Sequence, residues 1–411
     1  MVMKSRDTSR GRTKVTGTFQ RSFPSERVAT PWWLGLRRRS LPAARERGVL
    51  MRLAAVSLLL PFATGSGLAA LGAKSRAADV VSLYRKLGMP PYITRGGTAI
   101  VTGGNSGIGL ESVKQLLSAG CGRVVLCARS VEAGEAALAS LKDVDTSKAR
   151  VQRLDLADLE SIRDACAEIA EKDGTISLLL NNAGVMATPA RLTKQGFELQ
   201  LGTNHIGHHA FTRLLLPHME PDGRVVTVAS TAHTMGNVDV DDLMFTGGRK
   251  YSPWGAYGQS KGANILFAKG LADQLIAAGS SIKSVSLHPG VIRTELWRHG
   301  RTNLLGKIST WLLHKLIINK DIEQGASTSL YAALAPADTI SHGAYLDNCA
   351  ESEPNTQCSD VDGRLRRALW DETERLIAAS GVQLPSSLLG DKARAADMTC
   401  EPSVSASPEA F

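Results

Sequence analysis

The segment TAIVTGGNSGIG, residues 98–109, contains a short apolar run that leads directly into a glycine-rich turn. The β-branched run Thr98–Thr102 is typical of a buried strand, and a helical pattern begins at about Gly107. Between a strand and a helix, glycines allow backbone N–H groups to approach a phosphate at the helix N-terminus, because no Cβ atom blocks it. The spacing T-G-x-x-x-G-x-G is not the common G-x-G-x-x-G, and a tight turn without a ligand is the alternative interpretation. The candidate phosphate-binding residues are Gly103, Asn105, Ser106, Gly107, Ile108 and Gly109.

The same alternation of strand and helix patterns continues along the chain. Short apolar runs are separated by stretches with helical periodicity, which is typical of a parallel sheet covered by helices on both faces. The pattern predicts an α/β fold with a doubly wound parallel sheet in a single domain, residues 96–380. The predicted strands are Thr98–Thr102, Val124–Cys127, Val151–Asp155, Ser177–Asn181, Val225–Val228 and Ile282–Leu287.

The positive charge of the chain is concentrated at its N-terminus. Residues 1–95 hold 18 Lys and Arg against 4 Asp and Glu, a net charge of +14, so the other 316 residues carry −5 of the total of +9. Residues 1–50 are basic and resemble a transit-type targeting leader. Alternatively, translation starts at Met51 and this leader is an artefact. The remaining chain has no basic cluster with aromatic residues, so nucleic acid is not an expected partner.

Residues 51–95 are predicted to form a hydrophobic segment and a linker. The stretch LAAVSLLLPFATGSGLAALGA (53–73) has 21 residues without a charge, a length that can span a bilayer. A membrane anchor, the apolar region of a cleaved signal peptide and the hydrophobic part of a plastid-type leader are the three alternatives. We expect membrane association at the endoplasmic reticulum or another endomembrane, with a plastid as the alternative location.

Polar residues stand at the ends of further predicted strands. Arg129 lies 20 residues after Gly109, where an acidic residue would bind the ribose of NAD and an Arg suits the 2′-phosphate of NADP. NADP(H) is therefore favoured as cofactor and NAD(H) remains possible; a solvated Arg is the alternative. Asp155 is a candidate acceptor for the adenine amine, or a turn residue. The other candidate cofactor contacts at strand ends are Leu156, Asn182, Ala183 and Gly184.

Tyr257 and Lys261 are four residues apart, so that they share one face of a helix. Oxidation of an alcohol needs a base that accepts the hydroxyl proton as hydride leaves, and the reverse reaction needs an acid. A free phenol has a pKa of about 10, and a cation one turn away should lower it. None of the other five Tyr residues has Lys at the fourth position after it. The pair is therefore a candidate for acid/base catalysis, and both residues are candidate cofactor contacts.

Three further features complete the candidate site. Ser230 closes a predicted strand and can donate to a substrate oxygen, with a strand-end cap as the alternative. Asn204 begins the helix after the fourth predicted strand, where helix capping is the simpler interpretation. The candidate contacts to a nicotinamide carboxamide, after the sixth predicted strand, are Pro289, Gly290, Val291 and Thr294.

Taken in order, these motifs resemble the short-chain dehydrogenase/reductase family: TGGNSGIG (102–109), NNAG (181–184), YGQSK (257–261) and HPG (288–290). The resemblance covers roughly residues 96–380 and implies a Rossmann-type fold with about seven strands. It implies that Tyr257 is the catalytic acid/base, that Lys261 assists it, that Ser230 orients the substrate and that Asn204 belongs to a water-linked proton relay. Family members often associate through the helices around Asn204 and Tyr257, so a homodimer is a candidate assembly.

Longer stretches are similar to the retinol dehydrogenase-like branch, which includes the dehydrogenase domain of the WW-domain oxidoreductase. Two of these stretches are NNAGVMATPARLTKQGFELQLGTNHIGHHAFTRLLLP (181–217) and EQGASTSLYAAL (323–334). Ala128, between Cys127 and Arg129, and Ala229, where the branch has Ser, are departures. The implied function is NADP(H)-preferring interconversion of a lipophilic, retinoid-like alcohol and its aldehyde or ketone. The alternatives are a protochlorophyllide-type or other carbonyl or double-bond reductase, and a non-catalytic dinucleotide-sensing scaffold.

The stretch 293–320 lies where this family places its substrate lid. It combines an apolar stripe with six Lys and Arg against one Glu. A surface for a lipophilic substrate near a membrane and an amphipathic helix packed on its own domain are both open. Residues 381–411 are predicted to be a loose tail. None of the six Cys has C-x-x-C spacing, and no metal site is predicted.

Overall fold

One sheet of eight strands forms the centre of the domain in a computed structural model. The structure describes residues 74–90, 95–292 and 320–389, together with Gly72 and Ile93. The strands are β1 (Thr98–Thr102), β2 (Arg123–Ala128), β3 (Ala149–Arg153), β4 (Ile176–Asn181), β5 (Met219–Val228), β6 (Lys283–His288), β7 (Tyr345–Asp347) and β8 (Ala350–Ser352). They lie in the order β3-β2-β1-β4-β5-β6-β7-β8.

The sheet is parallel from β3 to β7, and β1 lies between β2 and β4. The chain moves outward from β1 to β3 and then returns to the other side of β1, which creates a crevice at the carboxyl ends of β1 and β4. Open α/β sheets bind their ligands at such a switch point. The predicted doubly wound parallel sheet is confirmed, with one strand more than expected. The extra strand, β8, pairs antiparallel with β7 across a turn in which Asn348 and Cys349 have positive φ.

Helices cover the sheet. Within the described residues the α-helices of four or more residues are α1 (Ala77–Leu87), α2 (Gly107–Ala119), α3 (Val131–Ala139), α4 (Leu159–Lys172), α5 (Gly207–Leu215), α6 (Pro253–Ala277), α7 (Ile322–Leu334), α8 (Thr356–Ser359) and α9 (Arg364–Ala379). Directly before α5, Gly202–Ile206 form a π-helical turn. Local chemistry sets several ends: Pro253 stands at the start of α6, where Ser252 accepts a hydrogen bond from Gly255, and Gly120 ends α2 in the left-handed conformation.

The strands bury side chains on both faces of the sheet. Along β1, Ala99 and Val101 belong to one apolar cluster and Ile100 belongs to the other, and all three are fully buried. Successive side chains of a strand point to opposite faces, so a sheet covered on both sides needs apolar residues at every position. This explains the continuous apolar run of β2, whereas β6 alternates the buried Ser284 and Ser286 with apolar residues.

Helix α1 packs onto the first of these clusters. The ring of Tyr84 lies 6.4 Å from that of Tyr331 on α7. The folded domain therefore includes residues from the stretch 51–95, where the pattern predicts a hydrophobic segment and linker. The buried residues of α1 are Ala77, Val80, Val81 and Tyr84.

Helix α9 lies against α5 and α6 on the other face. The ring of Trp370 stacks on Phe267 of α6 at a centroid distance of 5.9 Å and lies 4.5 Å from the ring of His209 on α5. Helix α9 therefore covers part of the surface of the two helices through which a homodimer is expected to form.

The beginning of the predicted tail also packs on this face. Val382 is buried in the second apolar cluster, and the Pro385 carbonyl accepts a hydrogen bond from Arg213 at 3.0 Å. Residues 381–389 are thus part of the folded domain in the structure.

Several sequence predictions concern residues outside the described ranges. These are the basic segment 1–50, the uncharged stretch 53–73 apart from Gly72, the stretch 293–320 apart from Lys320, and residues 390–411. Among the helices of the described residues, none combines the length and the hydrophobicity that a bilayer-spanning segment needs.

Glu374 of α9 provides a test of how this helix is held. Its carboxylate accepts a hydrogen bond at 2.6 Å from Arg213, which is buried. Burial works to raise the pKa of Glu374, but His209 and Arg213 lower it to about 2. A free Glu titrates at about pH 4.3, so the ionised carboxylate stabilises the fold above that pH, and this contribution is lost as the pH falls towards 2.

We therefore expect Glu374→Gln to lower the free energy of unfolding at pH 7 by about 2 kcal/mol, because a buried guanidinium loses a charged partner. Urea denaturation measures the change. The difference from wild type should shrink as the pH falls from about 4.3 towards 2. The control is Glu372→Gln on the same helix, whose partner Arg375 is 64% exposed. Equal destabilisation by the two substitutions would contradict this assignment.

Candidate active site

The glycine-rich turn brings α2 against the end of β1. A Cβ atom on Gly109 would lie only 2.2 Å from the carbonyl oxygen of Gly103. Gly103 and Gly107 have φ values of +63° and +54°, which side chains disfavour. Of the predicted phosphate-binding residues, Gly109 therefore allows the helix to approach the turn, while Gly103 and Gly107 shape the turn itself. Ile108 is mostly buried between these elements.

The N-terminus of α2 is open to an anion. The side chain of Ser106, at the N-cap position, accepts no hydrogen bond from the helix, and the first turn contains no acidic residue. A helix N-terminus carries partial positive charge and N–H groups without intrahelical partners, which suits a diphosphate. Ser106 is exposed and Asn105 is partly exposed at this end, so the residues present fit the phosphates of a dinucleotide.

Thr102 ties β1 to β4 at the switch point. Its Oγ1 accepts hydrogen bonds from the backbone N–H groups of Asn182 at 2.9 Å and Ala183 at 3.0 Å. The Asn182 side chain donates in return to the Thr102 carbonyl at 2.8 Å. A Cβ on Gly103 would lie 3.0 Å from the Cα of Ala183. The structure thus places the predicted residues Asn182 and Ala183 beside the glycine-rich turn.

Asn204 lies inside the π-helical turn and is not a helix cap. Its Oδ1 accepts from the Val185 N–H at 2.8 Å, and its Nδ2 donates to the Val185 carbonyl and to Ser260 Oγ, both at 2.9 Å. The buried side chain therefore joins the segment after β4 to α6. Both ends of the amide are engaged, so the main-chain carbonyl is the part of Asn204 that a proton relay would use.

Helix α6 places Tyr257 and Lys261 one turn apart in the interior, where they are 7% and 4% exposed. The Lys261 ammonium donates to the Val228 carbonyl at 2.9 Å and lies 5.9 Å from the centre of the Tyr257 ring. A Cβ on Gly184 would lie 3.1 Å from Asn204 Oδ1 and 3.5 Å from Lys261 Nζ. The structure therefore brings Gly184, Asn204, Tyr257 and Lys261 together.

Burial dominates the protonation of this pair. It raises the pKa of Tyr257 to about 12, although the hydrogen bond with Ser230 works in the opposite direction. It lowers the pKa of Lys261 to about 8. The expectation that Lys261 lowers the pKa of Tyr257 is not met in this structure, because loss of hydration disfavours the phenolate. At neutral pH Tyr257 is a neutral phenol, which is a proton donor.

Ser230 follows the end of β5 in an extended conformation. Its hydroxyl accepts a hydrogen bond from the Ala232 N–H at 3.2 Å and so caps a short 3-10 helix. The strand-end cap that the sequence left as an alternative is therefore present. Ser230 also works to lower the pKa of Tyr257 against burial, so the two side chains lie close together.

The predicted adenosine-side residues are spread more widely. Arg129 is exposed after β2 and forms no ion pair with any residue that the structure describes. One carboxylate oxygen of Asp155 accepts from the Ala157 N–H at 3.0 Å, so it shapes a turn, as the alternative interpretation predicts. Leu156 is buried in the second apolar cluster, and only its backbone is available to a cofactor.

The segment after β6 lies at the same edge of the sheet. Gly290 has a φ of +96°, and a Cβ on it would lie 2.5 Å from Cδ of Lys320, whose side chain crosses this point. Pro289 is buried and Val291 is partly buried. The fourth predicted carboxamide contact, Thr294, lies outside the described residues.

Four residues that the sequence prediction did not include connect these elements: Thr102, Val185, His208 and Ser260. Thr102 stands directly before the first glycine of the turn, and Val185 directly after NNAG. His208 lies one helical turn after Asn204, and Ser260 directly precedes Lys261. Their position was the only signal, because nothing in a single sequence shows which neighbours of a motif make its hydrogen bonds.

The fold and this site are those of a nicotinamide-dependent dehydrogenase, and comparison with known proteins identifies the family. A model of the short chain dehydrogenase family matches residues 97–241. Retinol dehydrogenase 13 of Homo sapiens is 38% identical over 331 residues, which cover 78% of this chain and 96% of the relative. Polyprenol dehydrogenase of Mus musculus is 39% identical over 308 residues, 72% of this chain and 88% of the relative. The chain belongs to the short-chain dehydrogenase/reductase family, in its retinol dehydrogenase-like branch.

A solved structure agrees with this assignment. The crystal structure of an uncharacterized protein from Mycobacterium Paratuberculosis is 33% identical and superposes with a TM-score of 0.56. The match covers 76% of this chain and 99% of that one. The predicted Rossmann-type architecture is therefore confirmed both by the strand order and by a relative of known structure.

The approach of α2 to the glycine-rich turn can be tested by adding one methyl group. In Gly109→Ala the new Cβ meets the backbone of Gly103, so the turn has to shift. We expect a loss of about 1–3 kcal/mol in the free energy of unfolding, measured by urea denaturation. The control is Gly255→Ala in the first turn of α6, where the nearest atom, in Ser252, is 3.4 Å away. If Gly109→Ala is as stable as that control, the close approach is not a constraint on this sequence.

Proposed function

We propose that the protein is an NADP(H)-preferring oxidoreductase that interconverts a lipophilic, retinoid-like alcohol and its aldehyde or ketone. One observation carries the proposal: Tyr257, Ser230, Lys261 and the Asn204 turn converge beside the glycine-rich turn, although they come from different elements. A protein that only binds a dinucleotide has no need of a buried phenol and ammonium in this place.

A nicotinamide cofactor held at the glycine-rich turn and the NNAG segment would supply the hydride chemistry at the substrate carbon, and this chain's own residues handle the proton. Tyr257 exchanges the proton: it donates its phenolic proton to the carbonyl oxygen during reduction, and the phenolate takes the hydroxyl proton during oxidation. Ser230 donates a hydrogen bond to the same oxygen and polarises it. Lys261 and the Asn204 carbonyl connect Tyr257 to solvent through water, so that the phenol regains its proton after reduction and releases it after oxidation.

The residues present fit an NADP-type cofactor. The open N-terminus of α2 suits the diphosphate. The exposed guanidinium of Arg129 lies after β2 with no ion pair to a described residue, and guanidinium groups bind phosphate well. We assign Arg129 to the 2′-phosphate, and Asn105, Ser106 and the backbone around Asn182 to the rest of the dinucleotide.

A small apolar cluster beside Tyr257 supports a lipophilic substrate. Met186 and Ala187 form a small cluster with Tyr257, and the Trp254 ring lies edge-on to the phenol at 6.1 Å. The relatives are named for retinol and polyprenol, which are both long apolar alcohols. We infer an aldehyde or ketone whose carbonyl reaches Tyr257 while its chain packs on these residues.

Two further parts of the proposal concern location and assembly. We place the protein at an endomembrane, because the uncharged stretch 53–73 has the length of an anchor and the inferred substrate dissolves in lipid.

The homodimer is expected to form through α5 and α6, and Trp370 of α9 already contacts both of these helices. A pairing through that face would first have to displace α9.

The first test removes the proposed acid/base. In Tyr257→Phe, kcat for NADPH-dependent reduction of retinal should fall at least 100-fold, because general acid catalysis contributes about 10²–10⁴-fold. NADPH binding, followed by fluorescence, should stay close to wild type. The control is Tyr84→Phe, which removes another buried hydroxyl, one without a hydrogen-bond partner in the described structure. Wild-type protein that binds NADPH but reduces no carbonyl would instead favour the dinucleotide-sensing scaffold.

The second test addresses the cofactor preference. We expect the wild-type protein to bind NADPH at least tenfold more tightly than NADH, and Arg129→Ala to remove this difference, about 1.4 kcal/mol. Titration of both cofactors into the full-length protein in detergent measures it. The control is Arg163→Ala, an exposed arginine of α4 that pairs with Asp164. Equal binding of NADH and NADPH to the wild-type protein would refute the preference.

A further inference from the structure

His208 connects the two halves of the candidate site. It is buried on α5, one helical turn after Asn204, and both of its ring nitrogens have partners. Nδ1 lies 2.9 Å from the main-chain carbonyl of Asn204, and Nε2 lies 2.8 Å from Oγ1 of Thr102. One imidazole therefore bridges the π-helical turn and the end of the central strand.

The partners determine where the protons lie. A carbonyl oxygen can only accept, so Nδ1 carries the hydrogen that bonds Asn204. Burial and the positive charge of Lys261 lower the pKa of His208 to about 4, although the bond to the Asn204 carbonyl opposes this. The ring is therefore neutral at pH 7, and its bare Nε2 accepts from the Thr102 hydroxyl. That hydroxyl in turn accepts the N–H groups of Asn182 and Ala183.

The hydrogen bond from His208 Nδ1 is accepted by the main-chain carbonyl oxygen of Asn204, the atom proposed for proton exchange. The Asn204 amide is occupied by Val185 and Ser260, so the part left for the relay is the main-chain carbonyl, whose oxygen has a second lone pair besides the one that accepts from His208. The turn that carries this carbonyl is π-helical: the Gly207 N–H bonds to the Gly202 carbonyl five residues earlier. Such a turn lacks the regular hydrogen bonds of an α-helix, and a side-chain donor one turn away can set the direction of a carbonyl within it.

We propose that His208 is a positioning residue of this oxidoreductase, which holds the Asn204 carbonyl in the orientation that proton exchange through Lys261 requires. The inference rests on the proposed function. His208 acts through Asn204 and touches neither substrate nor cofactor. Its hydrogen bond to Thr102 anchors the ring to β1. The position of the Asn204 carbonyl is thereby fixed relative to the strand that leads into the glycine-rich turn.

Two substitutions separate the two bonds of the ring. His208→Asn places an amide nitrogen where Nδ1 stands and keeps the bond to Asn204, whereas His208→Gln reaches Thr102 and loses the bond to Asn204. We expect His208→Gln and His208→Leu to lower kcat at least about tenfold, since small misplacements of catalytic groups have large effects. In both, the solvent deuterium isotope effect on kcat should rise, because proton exchange becomes slower. His208→Asn should keep kcat and the isotope effect close to wild type.

The control is His209→Leu, which removes the neighbouring, equally buried imidazole that faces Trp370 of α9. It should lower the melting temperature and leave the isotope effect unchanged. All variants are compared as full-length protein, with retinal and NADPH as the probes and NADPH binding as a separate readout; His208→Gln should bind NADPH like wild type.

The possible failures can be told apart. If wild type turns over and the Gln, Leu and Asn variants share one kcat and one isotope effect, His208 is structural and this inference is wrong. If His209→Leu raises the isotope effect as much as His208→Leu, the effect comes from loosened packing, which also overturns it. If the wild-type protein reduces no carbonyl, the proposed function fails and the inference falls with it.

Discussion

The hydroxyl of Thr102 is the point on which the candidate site depends. It accepts the N–H groups of Asn182 and Ala183, which are 80 and 81 residues away in the sequence, and it donates to His208. At the switch point of the sheet, β1 and β4 are neighbours without a short covalent connection, so their carboxyl ends are aligned by hydrogen bonds rather than by a loop. One side chain at the end of the central strand thereby sets the relative positions of the glycine-rich turn, the NNAG segment and the Asn204 turn.

The site is also constrained by the burial of its polar groups. A buried polar group without a partner destabilises a fold by a few kcal/mol, and here the partners are mostly backbone carbonyls and amides. Lys261 donates to the Val228 carbonyl, and Asn204 pairs with both backbone groups of Val185. The same burial keeps Tyr257 protonated. The hydrogen bonds that satisfy the buried polar groups therefore also determine which atoms are available for chemistry. These atoms are the phenol of Tyr257 and the main-chain carbonyl of Asn204.

Much of this arrangement could be predicted from the sequence because it depends on local patterns. The buried run of β1 and the glycines after it predict a strand, a tight turn and a helix, and the four-residue spacing of Tyr257 and Lys261 places them on one helical face. Other features could not be predicted. The turn at Asn348 and Cys349 that allows β8 lacks the usual Asn-Gly or Asp-Gly signal. The π-helical turn around Asn204 leaves no mark in hydrophobic periodicity, and the raised pKa of Tyr257 depends on burial by residues that are distant in the chain.

The sequence by itself determined the order of strands and helices, the glycine-rich turn and the residue types of the site, since each of these follows from propensities and spacings within a few residues. Only the tertiary structure decided that α1 and the residues after α9 belong to the folded domain and that α9 covers α5 and α6. It also decided that His208 joins Thr102 to Asn204. The physical reason is the same in each case: these contacts join residues far apart in the chain, and burial and hydrogen bonding between them exist only after the chain has folded.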